Sequence, residues 1–166
     1  MSEPAGWDMV GGVTAPEQDP AALARGIVDG NLYMVLGTAD LAGRPWVSPV
    51  YYAHAAYREF LWVSAPDVRH SQNIAVRPEL SIVVFDSSVP IGTGKGVYMA
   101  AVAQELVGAD REEAIEAFSR RSLAHGGSAW TLDDVESPAR LRLYRATATE
   151  HYVLEAHVDR RMAVSL

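Results

Sequence analysis

Cysteine is absent from this chain. Its absence excludes disulfides, thiolate metal sites and cysteine nucleophiles, and it suits a reducing compartment. Long apolar runs are missing too; none approaches the roughly 20 residues that a membrane-spanning helix needs. The N-terminus shows no basic stretch followed by an apolar core, so no secretory signal is visible. No basic block offsets the formal net charge of −7, which argues against nucleic acid as a partner. The expectation is a cytoplasmic protein that engages neither nucleic acid nor membrane.

Signatures of common active sites are lacking as well. His54, His70, His125, His151 and His157 show no helical pairing and no short ligand spacing, so no metal site is expected. One histidine is conceivable as an axial haem ligand, but the sequence singles out none. No Gly-x-Ser-x-Gly elbow is present, and Ser64 and Ser71 have no base nearby in sequence, which disfavours nucleophilic hydrolysis. The run Gly92-Thr93-Gly94-Lys95-Gly96 imitates a phosphate loop. It fails because Gly96 stands where a Ser or Thr must follow the lysine.

What is present is an ordinary globular composition, with 49% hydrophobic and 21% charged residues in a chain of 166. That length suits a single core. Residues 1–19, glycine- and proline-rich without periodicity, are expected to form a flexible N-terminal arm before one domain over 20–166. Asp19 and Pro20 open a short helix that Gly30 and Asn31 close. Extended runs are expected at Leu32–Thr38, Pro45–His54, Glu59–Ser64 and Leu80–Asp86, then from Val97 to Val107. Pro49 cannot donate to a ladder, so its strand must lie at an edge, be bulged, or break there. An interruption at Pro49 would free backbone groups for a ligand. One long helix is expected over Ala109–His125, stopped by Gly126-Gly127, with a capped turn at Thr131–Asp134. Two more extended runs, Leu141–Thr149 and Glu150–His157, finish the chain. Clustered strands with one helix inserted late and no regular alternation indicate a mainly β fold, a mostly antiparallel barrel or sandwich with peripheral helices.

The stretch Ser64-Ala-Pro-Asp-Val-Arg-His-Ser-Gln-Asn73 stands out. It carries a strand end into a short helix, which Asp67 is placed to cap and which must end near Arg77 before Pro78. Arg69, His70, Ser71 and Asn73 crowd its first turn. A helix N-terminus with a guanidinium, an imidazole, a hydroxyl and an amide makes a good anion site. An ordinary capped helix with a solvated face is the alternative for this decapeptide alone.

Together, Gly43-Arg-Pro-Trp-Val-Ser-Pro-Val-Tyr-Tyr52, Leu61-Trp-Val-Ser64, Arg69-His-Ser-Gln-Asn-Ile74 and Arg77-Pro-Glu-Leu-Ser-Ile82 resemble the pyridoxamine 5′-phosphate oxidase-like family of FMN-binding split β-barrels. The resemblance runs well over Leu32–Val107 and more loosely from Arg140 onward. Of barrel and sandwich, it implies an antiparallel Greek-key split β-barrel. It also implies an FMN-dependent oxidoreductase with its flavin at a homodimer interface, acting on a small molecule or taking electrons from a reduced nicotinamide donor. By the same resemblance, the backbone at Ser48, Pro49, Val50 and Tyr51 meets the flavin ring. Val63 and Ser64 flank the ribityl chain and phosphate, and Arg69, His70, Ser71 and Asn73 hold the phosphate. Gln104 and Trp130 are candidates to complete the ring site from the partner subunit. Many relatives carry lysine where His70 stands, and some of those prefer a deazaflavin coenzyme; the His-Ser pair is nearer the FMN type. Arg142, Arg145, Arg160 and Arg161 match no substrate-phosphate motif of the oxidases. A non-catalytic flavin carrier or sensor, and a deazaflavin-dependent reductase, are the alternatives.

Overall fold

In the computed structural model, which describes residues 19–155 and 160–166, an eight-stranded antiparallel sheet carries three α-helices. The elements are α1 (Pro20–Gly30), β1 (Tyr33–Ala39), β2 (Pro45–Tyr51), β3 (Ala53–Ala55), β4 (Glu59–Ser64), α2 (Arg69–Val76), β5 (Glu79–Phe85), β6 (Gly96–Glu105), α3 (Asp110–Ala124), β7 (Arg142–Glu155) and β8 (Arg160–Ala163), with a 3-10 turn at Leu132–Asp134. The proposed N-terminal arm lies outside the described residues, except for Asp19. That residue caps α1, its carboxylate accepting from the Ala21 amide at 3.1 Å.

Strand order is β2-β1-β5-β6-β7-β4-β3, with β8 on β7. The two ends of that order, β2 and β3, are consecutive in sequence and meet at Tyr52. The expected Pro45–His54 strand is therefore divided. Its first part pairs with β1 and its second with β4, which bends the sheet back on itself into a split β-barrel. Tyr52 makes the jog because its ring is fully buried in the main core and its hydroxyl donates to the Val28 carbonyl. Pro49 does not interrupt the ladder; it pairs with Val35 in continuous register. Its missing N–H is tolerated because β2 is an edge strand.

A turn at Asp40–Gly43 joins β1 to β2. Asp40 accepts from the Arg44 amide and guanidinium, and Gly43 takes the left-handed conformation at φ 79°. The two runs expected at the C-terminal end form one strand, β7. It pairs with β4, β6 and β8, and a bulge at Thr149, opposite Ala100/Ala101 of β6, shifts its register. The expected end of the second run, at His157, lies outside the described residues.

Two apolar cores result. The larger fills the barrel, where α1 inserts Ala24 and Val28 among Met34, Leu36, Phe60, Trp62 and Ile82. The smaller joins α3, through Ala114, Ile115 and Phe118, to Leu61, Leu106, Val135 and Leu143. Complete burial of side chains of this size contributes about 1.5–3 kcal/mol each.

Candidate functional site

The second core places α3 beside the junction of β2 and β4, and a cleft of about 610 Å³ opens there. That volume is within the range of small-molecule sites. Pro49, Val50 and Tyr51 line it from β2, Val63 and Ser64 from β4, and His70 from α2. Across from them stand Phe118, Ser122, His125, Gly126, Gly127, Ser128 and Trp130.

The polar end is organised by His70. This imidazole is 8% exposed, with Nδ1 3.1 Å from Ser48 Oγ and Nε2 2.9 Å from Ser64 Oγ. A neutral ring donates to one hydroxyl and accepts from the other, so both nitrogens are satisfied without a charge. Burial holds its pKa below the ordinary histidine value. Asp67 does not cap α2; Val68 occupies the N-cap position and offers no side-chain bond. The first amides of the helix consequently lack a side-chain acceptor, and such groups favour an anion. Arg69 is exposed, its guanidinium 4.8 Å from the Trp46 ring centroid on β2. Trp46 and Ser48 alternate onto one side of β2, so this cation stands next to the Ser48–His70 pair.

The other expected phosphate contacts go elsewhere. Asn73 is buried, and its amide donates to Thr38 Oγ1 at 3.0 Å, tying α2 to β1. Ser71 is buried and belongs to the lining of a separate cleft with Gln104 and Tyr144. Helical geometry explains the division, because residues at successive positions face directions about 100° apart. Of the candidates from sequence, the main cleft collects Pro49, Val50, Tyr51, Val63, Ser64, His70 and Trp130. Ser48 supports it through His70, and Arg69 stands at its rim.

At the aromatic end, Tyr51 and Trp130 are ring-site candidates from the sequence; Trp130, a candidate for the partner's site, here lines the cleft of its own chain beside Phe118 and His125. After α3, the chain folds back along the helix and is pinned there. The Gly127 amide donates to the Ser122 carbonyl at 2.8 Å, Ser122 Oγ to the Ser128 carbonyl at 2.7 Å, and the Trp130 amide to Ser119 Oγ at 2.8 Å. Gly127 is required, since a Cβ there would lie 2.5 Å from Ser122 Oγ. The fold-back sets Trp130 edge-on to Phe118, with ring centroids 5.5 Å apart. His125 closes the rim. Its Nδ1 donates to the Arg121 carbonyl at 2.9 Å, which fixes the proton there and leaves the Nε2 lone pair available. In the sequence, the resemblance pointed to Tyr51 and Trp130 and the glycine pair marked the end of the helix, but nothing marked Phe118 as part of this wall.

A family model for pyridoxamine 5′-phosphate oxidase matches residues 22–155. The chain belongs to the pyridoxamine 5′-phosphate oxidase family. Solved structures share this family's fold at low sequence identity. A heme-binding protein from Mycobacterium smegmatis superposes with a TM-score of 0.71 at 18% identity, over 91% of this chain and 60% of that one. The chain thus spans about three fifths of the mycobacterial protein's length. The heme storage protein HutZ from Vibrio cholerae gives 0.60 at 19% identity, over 75% of this chain and 86% of that one. An FAD-binding protein from Mesorhizobium loti gives 0.61 at 19% identity, over 85% and 91%. None of the curated proteins matches the chain in sequence. Among the described residues, no helix is long and apolar enough to cross a membrane.

Proposed function

We propose that this member of the pyridoxamine 5′-phosphate oxidase family is an FMN-dependent oxidoreductase. The supporting observation is the two-ended cleft, in which the hydroxyl-bracketed His70 and an α2 N-terminus without side-chain capping share a cavity with an aromatic wall. FMN has matching ends, a phosphate and a flat apolar ring. The residues present fit it, with Ser64, Arg69 and the first α2 amides toward phosphate, His70 orienting Ser64, and β2 toward the ring. The flavin supplies hydride or electron transfer, and the protein supplies binding and orientation. Ser48 and Ser64 keep the imidazole fixed, while Tyr51 and Phe118 keep the ring end dry. The reading includes a cytoplasmic homodimer, a small-molecule substrate and a reduced nicotinamide donor; Gln104, outside this cleft, is a candidate contribution to the partner's site.

Titration with FMN, followed by flavin fluorescence, tests the reading. Arg69→Ala should weaken binding about tenfold, the value of one charge-assisted contact; unchanged affinity contradicts the phosphate assignment. Bleaching by a reduced nicotinamide and reoxidation in air distinguishes an enzyme from a flavin carrier or sensor. Tighter binding of a deazaflavin coenzyme than of FMN supports the reductase alternative. Size-exclusion chromatography tests the dimer.

One observation favours a second occupant. His125, at the cleft mouth with its Nδ1 bonded to the Arg121 carbonyl, is the residue that would hold the iron of a haem, and the haem would supply the chemistry. Heme binding would give a Soret band that His125→Ala removes; FMN binding would give flavin absorbance instead.

A further inference from the structure

The aromatic end of the cleft carries no fixed charge. None of the described residues lining it is Asp, Glu, Lys or Arg. Its wall is a chain of rings, each set edge-on to the next. Tyr33 meets Tyr51 at 6.2 Å and 80°, Tyr51 meets Phe118 at 5.6 Å and 79°, and Phe118 meets Trp130 at 5.5 Å and 78°. Alternating faces and edges form a surface on which another flat π system gains both stacked and edge contacts.

The neighbouring cations are committed elsewhere. Arg121 lies close enough to Tyr51 to favour its ionised form, yet burial outweighs that and raises the phenol's pKa. The Arg121 guanidinium donates to the carbonyls of Val28, Asp29 and Asn31 at the end of α1, and it stacks over Tyr52. Arg142 donates to the carbonyls of Ala139 and Leu141, and Arg145 faces Glu59 and Asp110. Arg69 stacks on Trp46 at the polar end. An anionic group entering the aromatic end would lose water and find no lysine or arginine among the lining residues to offset that loss, which is unfavourable.

We propose that the second ligand of this cleft, taken beside the flavin, is an uncharged planar conjugated molecule of the quinone type, and that a phosphate, sulfonate or carboxylate carried into the aromatic end is rejected. The proposal rests on the flavin reading, in which the flavin takes the polar end and lies along β2, so that the second ligand takes the Phe118–Trp130 side of the wall. Tyr51, Phe118 and Trp130 set the specificity, and the lack of a cation opposite them sets the selection against anions.

Calorimetric titration of the FMN-loaded protein with menadione and with a naphthoquinone sulfonate provides the test. Menadione should bind at least tenfold more tightly than the sulfonate. Trp130→Ala should cost menadione about tenfold, the upper value of an aromatic pair. Ser128→Arg, which places a cation on an exposed position of the cleft lip without touching the core, should move the preference toward the sulfonate by about tenfold. Equal affinities in the unaltered protein, release of FMN by menadione, or a Ser128→Arg protein with the original preference would each overturn the proposal. If FMN itself fails to bind, the functional reading falls separately, and the same two quinones titrated into the FMN-free protein still decide the selection against anions.

Discussion

The two ends of the cleft are assembled over different distances along the chain. At the polar end, His70 reaches Ser64 and Ser48 across separations of 6 and 22 residues, all within the β2–α2 segment. The aromatic end joins Tyr33 and Tyr51 to Phe118 and Trp130, and Tyr51 lies 74 positions from the His125 it approaches. The first end depends on hydrogen bonds within a local unit. The second exists only when α3 docks on the smaller core. A ligand gripped at both ends therefore joins a local structure to a long-range one.

Mutations should separate these two dependences. Phe118→Ala removes a buried ring shared by the smaller core and the aromatic wall, so a loss of about 3–5 kcal/mol is expected in denaturant unfolding. A loss below about 1 kcal/mol would mean that α3 docking does not depend on this ring. Ser64→Ala strands one nitrogen of the buried imidazole and should cost about 1–3 kcal/mol. That variant should also weaken FMN binding, because the phosphate loses the Ser64 hydroxyl. Asn73→Ala removes the bond to Thr38 and should cost about 1–2 kcal/mol. Its FMN affinity should change less than twofold, and a tenfold loss would return Asn73 to the phosphate site.

The smallest effect concerns pH. His70 and His54 both have pKa values held below 6.5, His70 by burial and His54 by burial and the Arg121 charge, which outweigh Asp29. Above about pH 6.5 both rings are neutral in the folded and unfolded chains, and the stabilisation is complete. As pH falls below that value, the unfolded chain takes up protons that the folded chain resists, so stability declines. His70→Gln should make the decline shallower in urea titrations at successive pH values. An identical slope would assign it to other groups.

Much of the barrel and half of the cleft were legible in sequence because they follow local rules. Asp19-Pro20 opens α1, Pro78 ends α2, and β4 follows its apolar run over Glu59–Ser64. The jog at Tyr52 was not visible, since it arises from a ring drawn into a core made by distant elements. Pro49 attracted the expectation of an interrupted ladder, but an edge position suffices for it. The continuity of β7 was hidden because different parts of the strand serve different neighbours, so its apolar pattern changes along its length. Ser71 and Asn73 looked equivalent to His70 by proximity in sequence, whereas rotation about the helix axis sends each to different surroundings. Within the aromatic wall, nothing local marked Phe118, because its partners meet only in the folded molecule.

The position of β7 also has a consequence for biosynthesis. On one side Glu59 of β4 pairs with the nearby Ala55, but on the other it pairs with the distant Thr147, and β6 is flanked by β7 along most of its length. During translation, each of these strands must wait with one bare hydrogen-bonding edge until Arg142–Glu155 leaves the ribosome. Premature termination before Arg142 would leave those edges open to neighbouring chains, making nascent fragments of this protein natural clients for chaperones.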